Sequence, residues 1–176
     1  MTPVLLQPGI NNSGAEHWQS RWEAMHPQTV RIQQHDWDHP VCSEWVAEIE
    51  ACVKVQTTPP VVVAHSLGCL ALAKWASQSA LRVKALMFVS LPDPSKPVFP
   101  AEARGFEEIP LWLGGRRSLI VYSEDDPYGC LDLTRSTAAA WQADTLGIGA
   151  KGHINASSGV GDWSFGWQLV GNLSET

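Results

Sequence analysis

Ser66 lies between a run of valines and a stretch of small apolar residues that favours a helix. Residues 64–68 read Ala-His-Ser-Leu-Gly. A serine at the centre of a tight turn from a strand into a helix is typical of a nucleophile elbow, in which strained backbone geometry projects the hydroxyl from the sheet. The full pattern is Gly-x-Ser-x-Gly, and Ala64 stands where its first glycine is expected. We therefore predict that Ser66 is a nucleophile, on an elbow crowded by one extra methyl group.

A serine hydroxyl becomes an effective nucleophile only when a base removes its proton. His153 is the only histidine that follows Ser66 in the chain, and it comes shortly after a predicted strand, so it is the candidate base. Asp125 and Asp126 follow another predicted strand, and either carboxylate could orient the imidazole. The usual spacing places the acid three residues after the small residue that ends the strand, here Ser123. This spacing favours Asp126 and leaves Asp125 as the alternative.

Acyl transfer by a serine also requires N–H groups that stabilise the negative charge on the oxygen of the intermediate. The backbone N–H of Leu67 is one candidate, because it follows the nucleophile at a helix N-terminus, where the helix dipole favours an anion. The second donor is expected in the glycine-containing loop at residues 8–14. We predict Ile10 as this donor, with Asn11 as the alternative.

Short apolar runs alternate with helical patterns along the chain, and this alternation predicts the scaffold that positions these residues. The predicted strands are residues 3–6, 29–33, 61–63, 83–90, 119–123 and 144–148. The predicted helices are residues 15–25, a helix that Ser43 caps, and residues 67–78, 131–141 and 165–173. Apolar strands that alternate with helices indicate a parallel sheet covered on both faces. We predict an α/β fold, a doubly wound three-layer α/β/α sandwich with about six strands, whose ligands bind at the carboxyl ends of the strands.

One long segment, residues 91–117, is rich in proline and glycine and fits neither pattern. It is expected either to run over the site or to serve as a plain connection, with a short helix at residues 102–106. The nucleophile, the acid and the base each follow a different predicted strand, and the sheet is expected to bring them to one edge.

Composition bounds the class of protein. The chain has 176 residues, which predicts one domain at residues 1–176, and its 44% of hydrophobic residues is ordinary for a globular protein. Only 17% of the residues are charged, which argues against disorder. The net charge is −6 and no basic patch is present, which disfavours a nucleic-acid partner. Neither a membrane-spanning run nor a signal-peptide pattern is found, so we expect a cytoplasmic protein without a membrane partner, with its four cysteines as free thiols.

Residues 35–39 read His-Asp-Trp-Asp-His and suggest a metal cluster. Adjacent side chains point apart, however, and no further ligand completes a set at metal-site spacing, so we expect no metal here. Trp37 from this segment is instead a candidate to line the substrate cleft, together with Asn11 and His65. His65 precedes the nucleophile, and we expect it to pack the elbow rather than to act as an acid or base.

These motifs together resemble the α/β-hydrolase superfamily. More closely, the chain resembles the small serine hydrolase family that includes retinoblastoma-binding protein nine and its bacterial relatives, over nearly its whole length. The residues that carry the resemblance are Pro8-Gly9, His17-Trp18 with Trp22, Trp37 with Trp45, residues 65–69, residues 123–128 and residues 152–155. The resemblance implies a compact hydrolase without a large cap domain, a triad of Ser66, His153 and Asp126, and no metal or organic cofactor. It also implies esterase-like activity on small acyl substrates.

We therefore expect a serine hydrolase of the carboxylesterase type, which cleaves a small acyl ester through an acyl-enzyme intermediate. Ester, thioester and amide cleavage all use the same groups. The alternative is a non-catalytic binding or interaction protein with a vestigial triad, since the fold alone does not establish function. Ala64 is the one local feature in favour of that alternative. Dinucleotide binding is disfavoured because residues 9–14 lack the middle glycine of GxGxxG.

Overall fold

Six parallel strands form one sheet in the computed structural model, which describes residues 1–175. The strands are β1 (Val4–Gln7), β2 (Thr29–Arg31), β3 (Val61–His65), β4 (Ala85–Val89), β5 (Ser118–Tyr122) and β6 (Asp144–Gly147). The helices are α1 (Trp18–Met25), α2 (Cys42–Lys54), α3 (Leu67–Gln78), α4 (Leu131–Trp141) and α5 (Ser164–Glu175), with a 3-10 turn at Ala156–Ser158. None of the helices described is long and apolar enough to cross a lipid bilayer.

The strand order is β2-β1-β3-β4-β5-β6, and every neighbouring pair is parallel. From β1 the chain passes through α1 to the edge strand β2, and then returns through α2 to β3 on the other side of β1. The winding therefore reverses between β1 and β3, and a crevice forms at the carboxyl ends of the strands at such a point. The predicted three-layer, doubly wound α/β sandwich is confirmed.

Two apolar clusters, one on each face of the sheet, form the core. Helices α2, α3 and α4 cover the first cluster, which includes Trp45, Trp75 and Phe88. Helices α1 and α5 cover the second, which includes Trp18 and Trp22. Successive strand residues point to opposite faces, so that both faces of a strand such as β3 bury valine side chains. Strands β1, β3 and β4 are buried along their whole length, and they hold the crevice rigidly.

Two local predictions are wrong. Helix α2 begins at Cys42, and its N-cap residue Val41 makes no side-chain hydrogen bond, so Ser43 lies inside the helix rather than capping it. Residues 102–106 do not form a helix, because this stretch pairs with the segment that precedes α2. The amide N–H of Cys42 donates to the carbonyl oxygen of Arg104 at 2.9 Å, and that of Arg104 donates back to Pro40.

Candidate active site

Ser66 occupies the turn between β3 and α3, where its backbone adopts φ 54° and ψ −128°. A non-glycine residue in this region is strained, and such strain persists only where the surrounding structure holds it. The amide N–H of Ser66 donates to the carbonyl oxygen of Val89 at 3.0 Å, which ties the turn to the adjacent strand β4. This is the geometry of the predicted elbow, and it directs the serine into the crevice.

Close packing around the turn explains its small residues. A Cβ atom on Gly68 would lie 2.7 Å from the carbonyl oxygen of Gln7, and closer still to that of Pro8. A Cβ atom on Gly9 would lie 2.9 Å from the Cβ of Ser66. The first strand and its loop therefore touch the elbow directly, and only glycine permits that approach at positions 9 and 68.

Ala64 is the departure from the glycine pattern, and the turn forms with it in place. The residue is fully buried, and its methyl group belongs to the apolar cluster covered by α2 and α3. In the sheet, Ala64 pairs with Gln7 on one side and with Phe88 on the other. The extra methyl group is thus part of the core and does not displace the serine.

A continuous chain of hydrogen bonds joins Ser66, His153 and Asp126. The Oγ of Ser66 lies 2.7 Å from Nε2 of His153, and Nδ1 of His153 lies 2.8 and 2.9 Å from the two carboxylate oxygens of Asp126. The carboxylate only accepts, so Nδ1 carries the proton and the serine hydroxyl donates to Nε2. The side chains of His153 and Asp126 are 10% and 5% exposed. The arrangement can move a proton from the serine to the histidine.

Asp125 holds the loop of His153 instead of contacting its ring. Its Oδ1 accepts hydrogen bonds from the hydroxyl of Ser123 and from the amide N–H of Gly152, both at 2.7 Å. The hydrogen bond from Ser123, followed by that from Gly152, lowers the pKa of the Asp125 carboxyl. The geometry therefore favours Asp126 over Asp125 as the partner of the imidazole, and it gives Asp125 a bridging contact between two loops.

A cavity of about 700 Å³ opens over Ser66 and His153. One wall is the loop after β1, and another is the stretch Pro92–Glu102 with Val98 and Phe99. The long segment at residues 91–117 therefore borders the site and does more than connect two strands. The cavity size falls within the range of about 300–1,000 Å³ typical of small-molecule sites.

The candidate N–H donors for an oxyanion lie on the same cavity. Ile10 and Leu67 both line it, and Leu67 is the first residue of α3, so its N–H points away from the helix. The amide N–H of Asn11 donates to the carbonyl oxygen of Trp37 at 2.8 Å and is already engaged. Within residues 1–175, no such bond involves the amide N–H of Ile10. The hydrogen bonding thus favours Ile10 over Asn11.

The predicted cleft residues divide into two groups. Asn11 and His65 line the cavity. Trp37 does not belong to the described lining, because its ring packs edge-on against Trp45 with the centroids 5.5 Å apart. Trp37 reaches the site only through its carbonyl oxygen, which holds the loop of Asn11. This placement corrects the expectation that its side chain lines the cleft.

His17 is a cavity residue that the sequence analysis named only among the residues that carry the resemblance. Its Nδ1 accepts a hydrogen bond from the amide N–H of Gln19 at 3.2 Å and caps α1, while its ring lines the cavity. Burial lowers the pKa of His17 to about 4, and the charges of Arg31 and His153 act in the same direction. The ring is therefore neutral around pH 7. The resemblance includes His17-Trp18, and this was the signal available in the sequence.

Tyr128 is a second neighbour of the site for which no role was predicted from the sequence. Its ring centroid lies 4.6 Å from that of His153, and the ring lines the cavity. The amide N–H of Tyr128 donates to Oδ1 of Asp126 at 3.0 Å, which helps to fix the carboxylate. Tyr128 belongs to residues 123–128, which carry the family resemblance, and this was the signal in the sequence that pointed to it.

The segment at residues 35–39 forms a capped turn. Oδ1 of Asp36 accepts the amide N–H groups of Asp38 and His39 at 2.9 and 2.8 Å. These hydrogen bonds lower the pKa of the Asp36 carboxyl. In the part of the chain that the structure describes, no three His, Cys, Asp or Glu side chains are grouped so that they could hold a metal ion.

Comparison with known proteins agrees with this fold. A YdeN-like hydrolase from Pectobacterium atrosepticum is 30% identical, with a TM-score of 0.87 over 99% of this chain and 91% of that one. The ydeN gene product of Bacillus subtilis is 16% identical, with a TM-score of 0.84 over the whole of both chains. A carboxylesterase structure from Nitrososphaera gargenis is 8% identical, with a TM-score of 0.69 over 99% and 91% of the two chains.

No curated protein shows significant similarity to the chain. The serine hydrolase family model, however, matches residues 4–172, which is nearly the whole sequence. The resemblance seen in the sequence is thereby confirmed, and the chain belongs to the serine hydrolase family of the α/β-hydrolase superfamily.

Proposed function

We propose that the protein hydrolyses small carboxylic esters, with Ser66 as nucleophile, His153 as general base and acid, and Asp126 as the group that orients His153. The observation that carries this proposal is the continuous hydrogen-bond chain of 2.7 and 2.8 Å from Ser66 through His153 to Asp126. Ser66, at one end of this series of hydrogen bonds, lines the cavity, so a substrate can reach its hydroxyl group. A nucleophile, a base and a group that orients the base are the parts that acyl transfer needs.

In the first half of the reaction, Oγ of Ser66 forms a bond to the carbonyl carbon of the ester as its proton passes to Nε2 of His153. The tetrahedral intermediate carries a negative charge on the former carbonyl oxygen. The intermediate then expels the alcohol, which takes the proton from Nε2. Asp126 keeps the proton of the imidazole on Nδ1 throughout and stabilises the imidazolium while it exists.

In the second half, water attacks the acyl-enzyme carbonyl and gives one proton to Nε2 of His153. The second tetrahedral intermediate breaks its bond to Oγ of Ser66, which recovers the proton. The carboxylic acid leaves, and the serine and histidine return to their starting state. His153 thus acts as base and acid in turn, which requires that its ring keep one position.

Two backbone N–H groups are suited to hold the oxyanion. Leu67 presents its N–H at the start of α3, and Ile10 presents its N–H from the loop after β1. Gly9 allows this loop to approach Ser66 closely, as its hypothetical Cβ would stand 2.9 Å from the serine Cβ. Preorganised N–H donors of this kind are worth roughly 10²–10³ in rate.

Ester substrates are proposed on chemical grounds. An alkoxide leaving group departs more readily than an amide nitrogen. In the proposed mechanism, His153 is the acid that protonates the leaving group. The carboxylesterase from Nitrososphaera gargenis shares the fold, but at 8% identity it supports the architecture alone. The cavity of about 700 Å³ suits a small acyl compound.

The test is labelling with a fluorophosphonate probe, followed by intact-mass analysis, in the wild type and in Ser66→Ala and His153→Ala. We expect one adduct on the wild type, none on Ser66→Ala, and labelling slowed by several orders of magnitude in His153→Ala. Ser157→Ala is the matched control, because Ser157 lines the same cavity and, among the described residues, its hydroxyl makes no hydrogen bond to His153. An unlabelled but folded wild type would favour the binding-protein alternative.

Hydrolysis of matched substrates then shows which type of bond the protein cleaves. An ester, a thioester and an amide with the same acyl group are compared at equal concentration. We expect the ester to have the highest kcat/KM and the amide the lowest. An amide that is cleaved as fast as the ester would overturn the assignment to esters while leaving the nucleophile in place.

A further inference from the structure

We infer that His65 and Ser90 are positioning residues that hold the base of this reaction through its backbone. The Nε2 of His65 lies 2.9 Å from the carbonyl oxygen of His153, and the hydroxyl of Ser90 donates to the same oxygen at 3.0 Å. A carbonyl oxygen has two lone pairs, and both are used here. We call this pair of hydrogen bonds the carbonyl clamp. The inference rests on the proposed function, since it assigns roles around His153 as the base.

Both donors of the carbonyl clamp are buried and fixed by the sheet. His65 is the last residue of β3 and is 5% exposed, and Ser90 directly follows β4 and is 1% exposed. The two strands are neighbours, so their ends bring the side chains to the same point. A rigid sheet thus sets the position of a loop that is 63 residues or more away in sequence.

Ser90 also shows backbone strain. Its φ is 56°, in the region that non-glycine residues rarely adopt. Ser66, at the end of the neighbouring strand, has φ 54°. Strain of this kind costs about 1–3 kcal/mol and is concentrated at functional sites. The strained backbone of Ser90 occurs together with the hydrogen bond from its hydroxyl to the carbonyl oxygen of His153.

The loop that is clamped contains one strained residue. Ile154, which follows His153, has φ 45°, whereas Gly152 on the other side has φ 53°, a value that glycine adopts readily. The amide N–H of Gly152 is held by Asp125, and the carbonyl oxygen of Ile154 accepts the indole N–H of Trp18 at 2.8 Å. The carbonyl of His153 lies between these two anchors, and the clamp secures the residue that must reach both Ser66 and Asp126.

His65 is suited to this role because it stays uncharged. A carbonyl oxygen only accepts, so the proton of the His65 ring lies on Nε2. Burial holds the pKa of His65 well below its ordinary value, and the nearby His17 and His153 rings act in the same direction. The ring centroids of His65 and His153 are only 5.0 Å apart. A neutral His65 therefore adds no positive charge beside the imidazolium that forms on His153.

The test uses His65→Leu, which cannot donate, and His65→Gln, whose amide N–H can occupy the place of Nε2–H. Ser90→Ala removes the second donor with little change in volume, so it tests the clamp even where His65→Leu folds poorly. We expect kcat for an ester to fall about 100-fold in His65→Leu and about tenfold in Ser90→Ala, with KM changed less than about twofold. His65→Gln is expected to recover at least half of the loss in kcat, measured on a logarithmic scale.

A spectroscopic readout separates the clamp from the proposed function. The Nδ1–H proton of His153, hydrogen-bonded to Asp126, is followed by NMR in each folded variant. We expect its resonance to shift or broaden in Ser90→Ala and His65→Leu, and to return in His65→Gln. An unchanged resonance together with kcat within twofold of the wild type overturns the clamp. A wild type that turns over no ester, yet shows the expected resonance changes, overturns the proposed function and leaves the clamp standing.

Discussion

Asp125 and Gly152 are joined by a hydrogen bond of 2.7 Å, from the amide N–H of the glycine to Oδ1 of the carboxylate. The bond connects the loop after β5 with the loop after β6, one residue away from the contact between Asp126 and His153. The two adjacent aspartates therefore act on the same loop in different ways. Asp125 holds its backbone, while Asp126 holds the imidazole ring.

Replacement of these two carboxylates separates their roles. In Asp126→Asn the ring of His153 loses its anionic acceptor, and kcat is expected to fall by roughly 10⁴. Asp125→Asn keeps a side-chain oxygen that can accept from Ser123 and Gly152, so kcat should fall less than about tenfold. Both variants are measured with one ester, and circular dichroism checks their folding. Equal losses in the two variants would contradict the assignment.

The order of nucleophile, acid and base was predictable because each follows a strand of a parallel sheet. The valine-rich strand before Ser66 and the glycine at position 68 carry strong local signals. The sheet then brings Ser66, Asp126 and His153 together whatever the lengths of the connections. The choice between Asp125 and Asp126 needed coordinates, because two adjacent side chains on a loop point in different directions.

Other features were not readable from the sequence for physical reasons. Trp37 follows an edge strand, and its direction is set by packing against Trp45, which periodicity does not encode. The residues at 102–106 have a helical composition, but pairing with the start of α2 overrides it. In the carbonyl clamp, His65 and Ser90 are separated from His153 by 88 and 63 positions in the sequence, and no local pattern signals contacts over such a distance.

The close approach of β1 to the elbow predicts a strong response at Gly68. In Gly68→Ala the new methyl group meets the carbonyl oxygens of Gln7 and Pro8, whose backbone cannot move without shifting the oxyanion loop. We expect a loss of about 1–3 kcal/mol in the free energy of unfolding, accompanied by slower labelling of Ser66. Urea denaturation and the labelling rate measure the two effects.

Gly171→Ala is the control for that experiment. Gly171 lies in α5, and nothing stands within 4 Å of the position of its Cβ. Alanine should stabilise the helix by about 0.5–1 kcal/mol, with labelling unchanged. If Gly68→Ala behaves like Gly171→Ala, the strand and the elbow are farther apart than the structure has them.

Trp18 and Trp22 offer a matched pair on α1. Each indole N–H donates to a carbonyl oxygen at 2.8 Å, that of Trp18 to Ile154 and that of Trp22 to Asp162. Replacement of either tryptophan by phenylalanine leaves a carbonyl without its donor and should cost about 1–3 kcal/mol in the free energy of unfolding. Only Trp18→Phe should also slow the labelling of the serine, because Ile154 adjoins the base. Similar labelling rates in both variants would argue against this anchor.

His17 predicts how stability depends on pH. Its pKa is lowered from 6.5 to about 4 in the folded state, so the unfolded chain binds more protons between these values. Because of His17, the free energy of unfolding is highest above about pH 6.5. It decreases by up to about 3 kcal/mol as the pH falls towards 4. His65 contributes in the same direction, since burial also lowers its pKa. The free energy of unfolding by urea, measured from pH 7 to pH 4.5, should therefore decline.

His17→Asn isolates this contribution. Asparagine can still accept the amide N–H of Gln19 and cap α1, but it does not titrate. The variant should lose less stability than the wild type between pH 7 and pH 4.5, and His65 and His26, whose pKa values burial also lowers, should contribute to the decline that remains. His35→Asn, on an exposed side chain, is the control and should follow the wild type. Parallel curves for His17→Asn and the wild type would show that His17 is charged or solvated in the folded protein, contrary to its burial in the wall of the cavity.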